Sequence, residues 1–128
     1  TNLIDGAGFS KSINDSGTNT EYTDKTKMTL EEKQIDNIVG SAYTLDATTF
    51  PRTYVSLNPS GLINNLSIID GKTAGDLLII ENISTYKITI TQNPRVNLGA
   101  LTRDLNQYGV LELIWNGTAW LELKYVNN

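Results

Sequence analysis

Cysteine and histidine are both missing from this chain of 128 residues. Without cysteine there are neither disulfides nor thiolate metal ligands. Without histidine the Ser-His-Asp and Cys-His nucleophile systems are excluded, along with the commonest general base. No apolar run approaches the roughly 18 residues of a membrane-spanning helix, and the first residues lack the basic and apolar regions of a secretory leader. Positive charge is scarce too: 10 Lys and Arg stand against 14 Asp and Glu, a formal charge of -4. The basic residues are scattered, which argues against nucleic acid or an anionic membrane as the main partner. Gly71-Lys72-Thr73 looks like the end of a phosphate loop, but Leu66 stands where that motif needs its first glycine, so Asp70-Gly71 reads as a corner between strands. No Asp-x-Asp-x-Asp-Gly calcium loop is present. The expectation is a non-enzymatic protein with no catalytic residue, metal or cofactor.

What the chain has in quantity is Asn and Thr, beside an apolar content of 39%. That balance favours a turn-rich, mainly β protein with much solvated surface. Strand-like runs recur roughly every 8 to 12 residues, the spacing of a sandwich or barrel and not of βαβ units. The expected fold is therefore an antiparallel β-sandwich or barrel-like head over residues 42–128. Residues 1–41 are read as an extended arm plus one short helix, a stalk or trimerisation segment. In residues 1–27 the only apolar anchors before Tyr22 are Leu3, Ile4, Phe9 and Ile13. So polar a segment needs something else to hold it, such as a neighbouring copy. Thr29-Leu-Glu-Glu32 reads as a capping box, Leu30, Ile35, Ile38 and Val39 continue a helical pattern, and Gly40 offers a stop. The helix, about 30–39, is below the roughly 12 to 15 residues needed for marginal stability in water. It must dock or associate, so Leu30, Ile35 and Ile38 are candidate oligomer-interface residues.

Past an irregular lead-in from Ala42, strands are expected at Thr53 to Leu57 and Asn65 to Ile69. Asp76 to Glu81 contains four consecutive aliphatics, Leu77 to Ile80, suggesting burial on both faces. Tyr86 to Thr91 alternates, with Tyr86, Ile88 and Ile90 inward. Asn93-Pro94 turns the chain, Val96 to Leu98 is a weak strand, and Leu101 to Asn106 leads to a terminal hairpin. Two apolar runs there flank Asn116-Gly117. A two-residue loop would leave neither face apolar. A three-residue loop, Asn116 to Thr118, pairs Trp115 with Ala119, Leu113 with Leu121 and Leu111 with Leu123, collecting one continuous apolar face. That register leaves Glu112, Ile114, Trp120, Glu122 and Lys124 outside, so Ile114 and Trp120 call for a cover and join the oligomer-interface candidates.

Sugar-binding surfaces use flat rings that stack on the apolar face of a pyranose, and Trp120, Tyr108, Tyr54 and Tyr43 are the candidates for that role. The plain reading beside it makes Trp115 core and packs Trp120 beneath another strand or protomer. Glu112 and Glu122 are opposite one another in the preferred register, the pair of acids a glycosidase reading would draw on; the plain reading beside it is two exposed acids with Lys124 nearby to relieve their repulsion.

Two stretches carry a family resemblance. Tyr22-Thr-Asp24-Lys25-Thr-Lys27-Met28-Thr-Leu30-Glu-Glu-Lys33 resembles segments of bacteriophage fibre proteins. Trp115-Asn-Gly-Thr-Ala-Trp120-Leu-Glu122-Leu is similar to the aromatic, Asn/Asp, Gly, x, x, Trp, x, Glu hairpin that closes phage fibre and appendage chains. The resemblance implies a homotrimeric structural and attachment component of a virion fibre, on the particle surface. Its partners would be other virion proteins and host-surface glycan, with no nucleic acid and no membrane insertion. It carries over no individual site residue. Two readings stay open beside it: a monomeric carbohydrate-binding module of a secreted enzyme, and a glycan depolymerase domain using paired acids.

Overall fold

The computed structural model describes residues 30–46 and 51–127. The arm at 1–27, Thr29 of the capping box and the lead-in at 47–50 lie outside the described residues. Among the described residues ten strands follow in order: β1 (Glu31–Ile38), β2 (Ala42–Leu45), β3 (Arg52–Pro59), β4 (Asn65–Ile68), β5 (Leu77–Asn82), β6 (Ile88–Thr91), β7 (Val96–Asn97), β8 (Thr102–Leu105), β9 (Val110–Trp115) and β10 (Trp120–Val126). The fold is mainly β, as composition and strand spacing lead one to expect. No helix occurs among the described residues.

Most strands do not pair with their neighbours in sequence. β1, β3 and β5 lie side by side and parallel in one six-stranded sheet of order β1-β3-β5-β9-β10-β7. β2 and β4 pair in parallel on a second wall, and the Ile63 to Ile88 bridge brings β6 beside them. Each coil thus contributes one strand to each wall: β1 with β2, β3 with β4, β5 with β6. Glu31 lies on Thr53, and Thr53 lies on Leu78. Each coil therefore takes roughly 20 to 25 residues, at the short end of the repeats from which solenoids are stacked. The arrangement is β-solenoid-like, not the antiparallel sandwich or barrel anticipated from sequence. Turns between these strands are coil corners. Asn58-Pro59-Ser60-Gly61 steps from one wall to the other, and Ser60 donates from both its amide and its hydroxyl to the Ile38 carbonyl of the coil before, each at 3.0 Å.

The core fills the space between the walls. Inward positions alternate strictly along β3, β5 and β9, with Val55, Leu57, Leu78, Ile80, Leu111 and Leu113 fully buried. Leu45, Leu66, Ile63, Ile88, Ile90 and Leu105 meet them from the second wall. Leu77 and Ile79 face outward and stay partly exposed, so the four aliphatics are buried on one face and only half covered on the other. Tyr86, expected inward, lies in the corner before β6 and is 44% exposed.

The helix expected over 30–39 is a strand. β1 pairs with β3 from Glu31 to Ile38, with a shift in register between Asp36 and Ile38. Asn37 sits there with φ of 57°, a conformation that Asn tolerates better than most residues. This bulge explains the misreading. Ile35 and Ile38 are three apart, a helical interval, because one extra residue interrupts a two-residue alternation and returns Ile38 to the inner face. The same pairing joins Glu31–Ile38 to the sheet of the following coils.

After β6 the chain reverses. Asn93 and Val96 exchange backbone hydrogen bonds across a Pro94-Arg95 turn at 3.1 and 3.0 Å. β8 then runs antiparallel to β6, and β9 antiparallel to β5. β10 doubles back on β9, with β7 parallel on its far edge. The hairpin is real, but its loop is Asn116 to Ala119: Trp120 pairs with Trp115, Leu121 with Ile114 and Glu122 with Leu113. Asn116 sets this length by accepting from the amides of Thr118 and Ala119 through Oδ1, both at 2.8 Å, while Gly117 takes φ of 99°. A second bulge at Leu123 restores phase, so that Tyr125 faces Leu111. Leu123, expected in the apolar face, is 56% exposed.

Two polar assemblies fasten the reversal. Asn82 is fully buried. Its amide donates to the carbonyls of Tyr86 and Leu105 at 2.6 and 2.7 Å, and its Oδ1 accepts from the Ser84 amide and hydroxyl. Arg103 on β8 meets Glu122 on β10 through two parallel bonds of 2.8 and 2.9 Å, and stacks 4.3 Å above the Tyr125 ring. The Tyr125 hydroxyl in turn donates to the Asp104 carbonyl at 2.7 Å. The Arg103 guanidinium holds the Glu122 carboxyl below its ordinary range.

Asn82→Ala leaves the buried Leu105 carbonyl without its donor and the buried Ser84 amide without its acceptor, and should destabilise the protein by about 3 kcal/mol in urea unfolding; a loss under about 1 kcal/mol would mean those groups find other partners. Because Glu122 has a lowered folded-state pKa, its contribution is present above the unfolded value of about 4.3 and disappears as pH falls through the folded value. Glu122→Gln should be less stable than the natural chain at neutral pH, and the gap should close on acidification below the usual carboxylate range. A gap independent of pH would show that the carboxylate charge is immaterial.

Candidate functional site

The outward rows of the six-stranded sheet follow from the same alternation that builds the core. One row runs Glu32, Tyr54, Ile79, Glu112, Lys124, and the next runs Gln34, Ser56, Glu81, Val110, Val126. Where β1 meets β3, these rows form an open cleft of about 240 Å³ lined by Glu32, Lys33, Gln34, Tyr54 and Ser56. Small-molecule pockets usually hold roughly 300 to 1,000 Å³. The cleft therefore suits a group the size of a single sugar ring and not an extended cofactor.

Tyr54 is the centre of it. Its hydroxyl donates to the Glu81 carboxylate in the adjoining row. That bond, reinforced by the negative charge of Glu81, raises the Tyr54 hydroxyl above its ordinary value. With its proton committed to Glu81, the phenol oxygen is left as an acceptor, while one side of the ring borders the cleft. Beside it Gln34 donates to Asp36 at 2.9 Å, and Asn58 donates to the same carboxylate at 3.1 Å. These two bonds lower the Asp36 pKa, and the one from Asn58 braces β1 against β3. The result is a ring, a hydroxyl, an amide and carboxylates on adjacent rungs, a donor and acceptor set that fits the hydroxyls of a neutral sugar.

Of the four aromatic residues singled out from sequence, Tyr54 is therefore the one in a cleft. Tyr43, on β2, packs partly buried against the core on the other wall. Tyr108 lies at the corner where β8 turns into β9, 56% exposed, with φ of 66° and its amide donating to the Asn82 carbonyl at 2.6 Å. Trp120 is 1% exposed, stacks edge-on with Trp115 at 5.4 Å and donates its indole N–H to the Ile69 carbonyl at 3.0 Å. It has no face to offer a ligand or another copy, because the longer loop moves it from the outer to the inner side of β10. The structure does not bring the three tyrosines together.

The interface candidates separate likewise. Ile38 is buried in the core. Leu30 and Ile35 are half-buried at the β1 edge, Ile35 packing against the core. Ile114 keeps an outward position, half covered between Leu77 and Leu121. The acid pair does not form: Glu112 faces outward opposite Lys124, while Glu122 pairs with Leu113 on the inner side and is tied to Arg103. The loop that resembled a phosphate cradle is closed on itself, since the amides of Lys72 and Thr73 both donate to the Asp76 carboxylate at 3.1 and 3.0 Å. Gly71 serves packing there, as a Cβ at that position would lie 2.4 Å from the Trp115 ring.

Glu32, Gln34, Ser56 and Glu81 were missed as site residues by the sequence reading. The signal that could have found them is the step from one coil to the next, which stacks Glu32 on Tyr54 and Ser56 on Glu81. No protein-family model matches the chain, and no curated protein matches it.

Proposed function

We propose that the chain is a non-enzymatic structural and attachment component of a bacteriophage virion fibre, a homotrimer on the particle surface that joins other virion proteins and binds host-surface glycan. The observation that carries this reading is the parallel stacking of β1, β3 and β5, coil upon coil. A coil stack hydrogen-bonded along its length transmits load along its axis and presents side chains in regular rows, which suits a shaft or a fibre head. The hairpin that is similar to the closing hairpin of phage fibres follows the point where the winding reverses, which supports the reading. The half-covered outer row of Leu77, Ile114 and Leu121 supports contact between copies. The Tyr54 cleft supports the glycan part of the proposal, with Tyr54 stacking on a ring and Gln34 and Ser56 reaching its hydroxyls.

The same cleft favours one other reading, a monomeric carbohydrate-binding module, since a single chain supplies all its lining. Light scattering separates the two: the fibre reading requires three copies per particle at micromolar concentration, and a clean 14.1 kDa monomer would overturn the trimer. A glycan array then reads the site. Tyr54→Ala should lose every sugar signal while Tyr108→Ala keeps it, and signals that survive Tyr54→Ala would remove the cleft from the proposal.

A further inference from the structure

The side of β1 that faces away from β3 meets no other strand among the described residues. A strand edge carries a row of N–H and C=O groups ready to pair; β1 has charge along it in Glu31, Glu32, Lys33 and Asp36, but also an apolar inward residue next to the open side. Half-buried Ile35 stands in the last inward column on that edge. What belongs there can be read from the coil step.

Ile35 lies on Leu57, one coil later. The same step backward along the chain reaches Ile13. Ile13-Asn14-Asp15-Ser16-Gly17 and Leu57-Asn58-Pro59-Ser60-Gly61, two such steps apart, share Asn, Ser and Gly and differ conservatively at the first position. Midway between them Ile35-Asp36-Asn37-Ile38-Val39-Gly40 is a related run with one residue inserted. The insertion falls where the register of β1 slips, at Asn37. The two later stretches are seen stacked, and the earliest shares their sequence pattern. The same step counted back along the sequence takes Asp36, to which Asn58 donates, to Asn14, and Glu31, which pairs with Thr53, to Phe9. The stretch of chain before Leu30 is longer than one coil step, so the chain can reach its own edge.

We propose that the open edge of β1 is a docking surface for residues 9–17 of the same chain, added as one further parallel coil. Ile13 would cover Ile35 as Ile35 covers Leu57, and the backbone groups along the outer edge of β1 would gain partners.

Hydrogen exchange by mass spectrometry on the full-length protein tests this at β1. Peptides covering 31–38 should exchange slowly in the natural chain, lose that protection in Ile13→Asp and keep it in Leu3→Asp, which lies outside the repeat. β5 and β9 should stay protected in all three. Equally fast exchange of β1 in the natural chain and in Ile13→Asp would overturn the proposal, as would equal loss in Leu3→Asp. The absence of cysteine allows a second measurement with Asn14→Cys and Asp36→Cys combined and a short bismaleimide. Cross-linked monomer is the expected product; a cross-linked dimer would assign the edge to a second copy, and no cross-link would deny the contact.

Discussion

Register between successive parallel strands is the constraint on which the rest of this structure depends. Because side chains alternate with a period of two, the pairing of β1, β3 and β5 decides at once which residues fill the core and which line the outer rows. A slip of one residue would place Tyr54, Ser56 and Asn58 inside and Val55 and Leu57 in water. Both bulges serve that constraint. The extra residue at Asn37 returns Ile38 to the core, and the extra residue at Leu123 lets Tyr125 reach the Asp104 carbonyl after Glu122 has turned toward Arg103. Irregularity in the backbone is here the means by which regularity in the side-chain columns is kept.

A stack of coils also has to stop. The chain does so by reversing direction after β6, so that its last coil presents antiparallel strands. Polar side chains then tie the two walls where the apolar core thins out. Asn82 answers carbonyls from two different segments, and Arg103 is shared between a forked carboxylate pairing and an aromatic face. Geometry of this kind is specific as well as stabilising, since a guanidinium paired in two parallel bonds tolerates little sliding of β8 past β10. The tryptophan pair adds an apolar counterpart between β9 and β10, with Trp120 anchored to the Ile69 carbonyl beneath it.

Much of the fold was legible in the sequence, and the failures have physical causes. The strands β3, β4, β5, β6 and β9 announce themselves through alternation and bounding turn residues. Parallel pairing does not, because Asn58 to Gly61 looks the same whether it closes a hairpin or rounds a coil corner; only recurrence at the length of one coil distinguishes them, and bulges and unequal corners blur it. β1 read as a helix because an interval of three arises from a strand with one inserted residue. The hairpin was found but its register was missed. The choice rested on collecting the apolar residues onto one face, whereas Asn116 capping two amides favours the longer loop. Tyr54 was recognisable as an aromatic residue with polar neighbours. Its actual neighbours, Glu32 and Glu81, are distant in sequence and become adjacent only through the coil stack.

The reversal of the chain after β6 makes the two ends of the stack chemically different. At one end a parallel strand displays its edge; at the other the last long strand, β10, runs against its neighbour, carries only the short β7 beyond it and is crossed by the Arg103–Glu122 pair. The C-terminal end of the stack thus combines an antiparallel hairpin with a short parallel strand, and its pairing differs in kind from the uniformly parallel β1, β3 and β5.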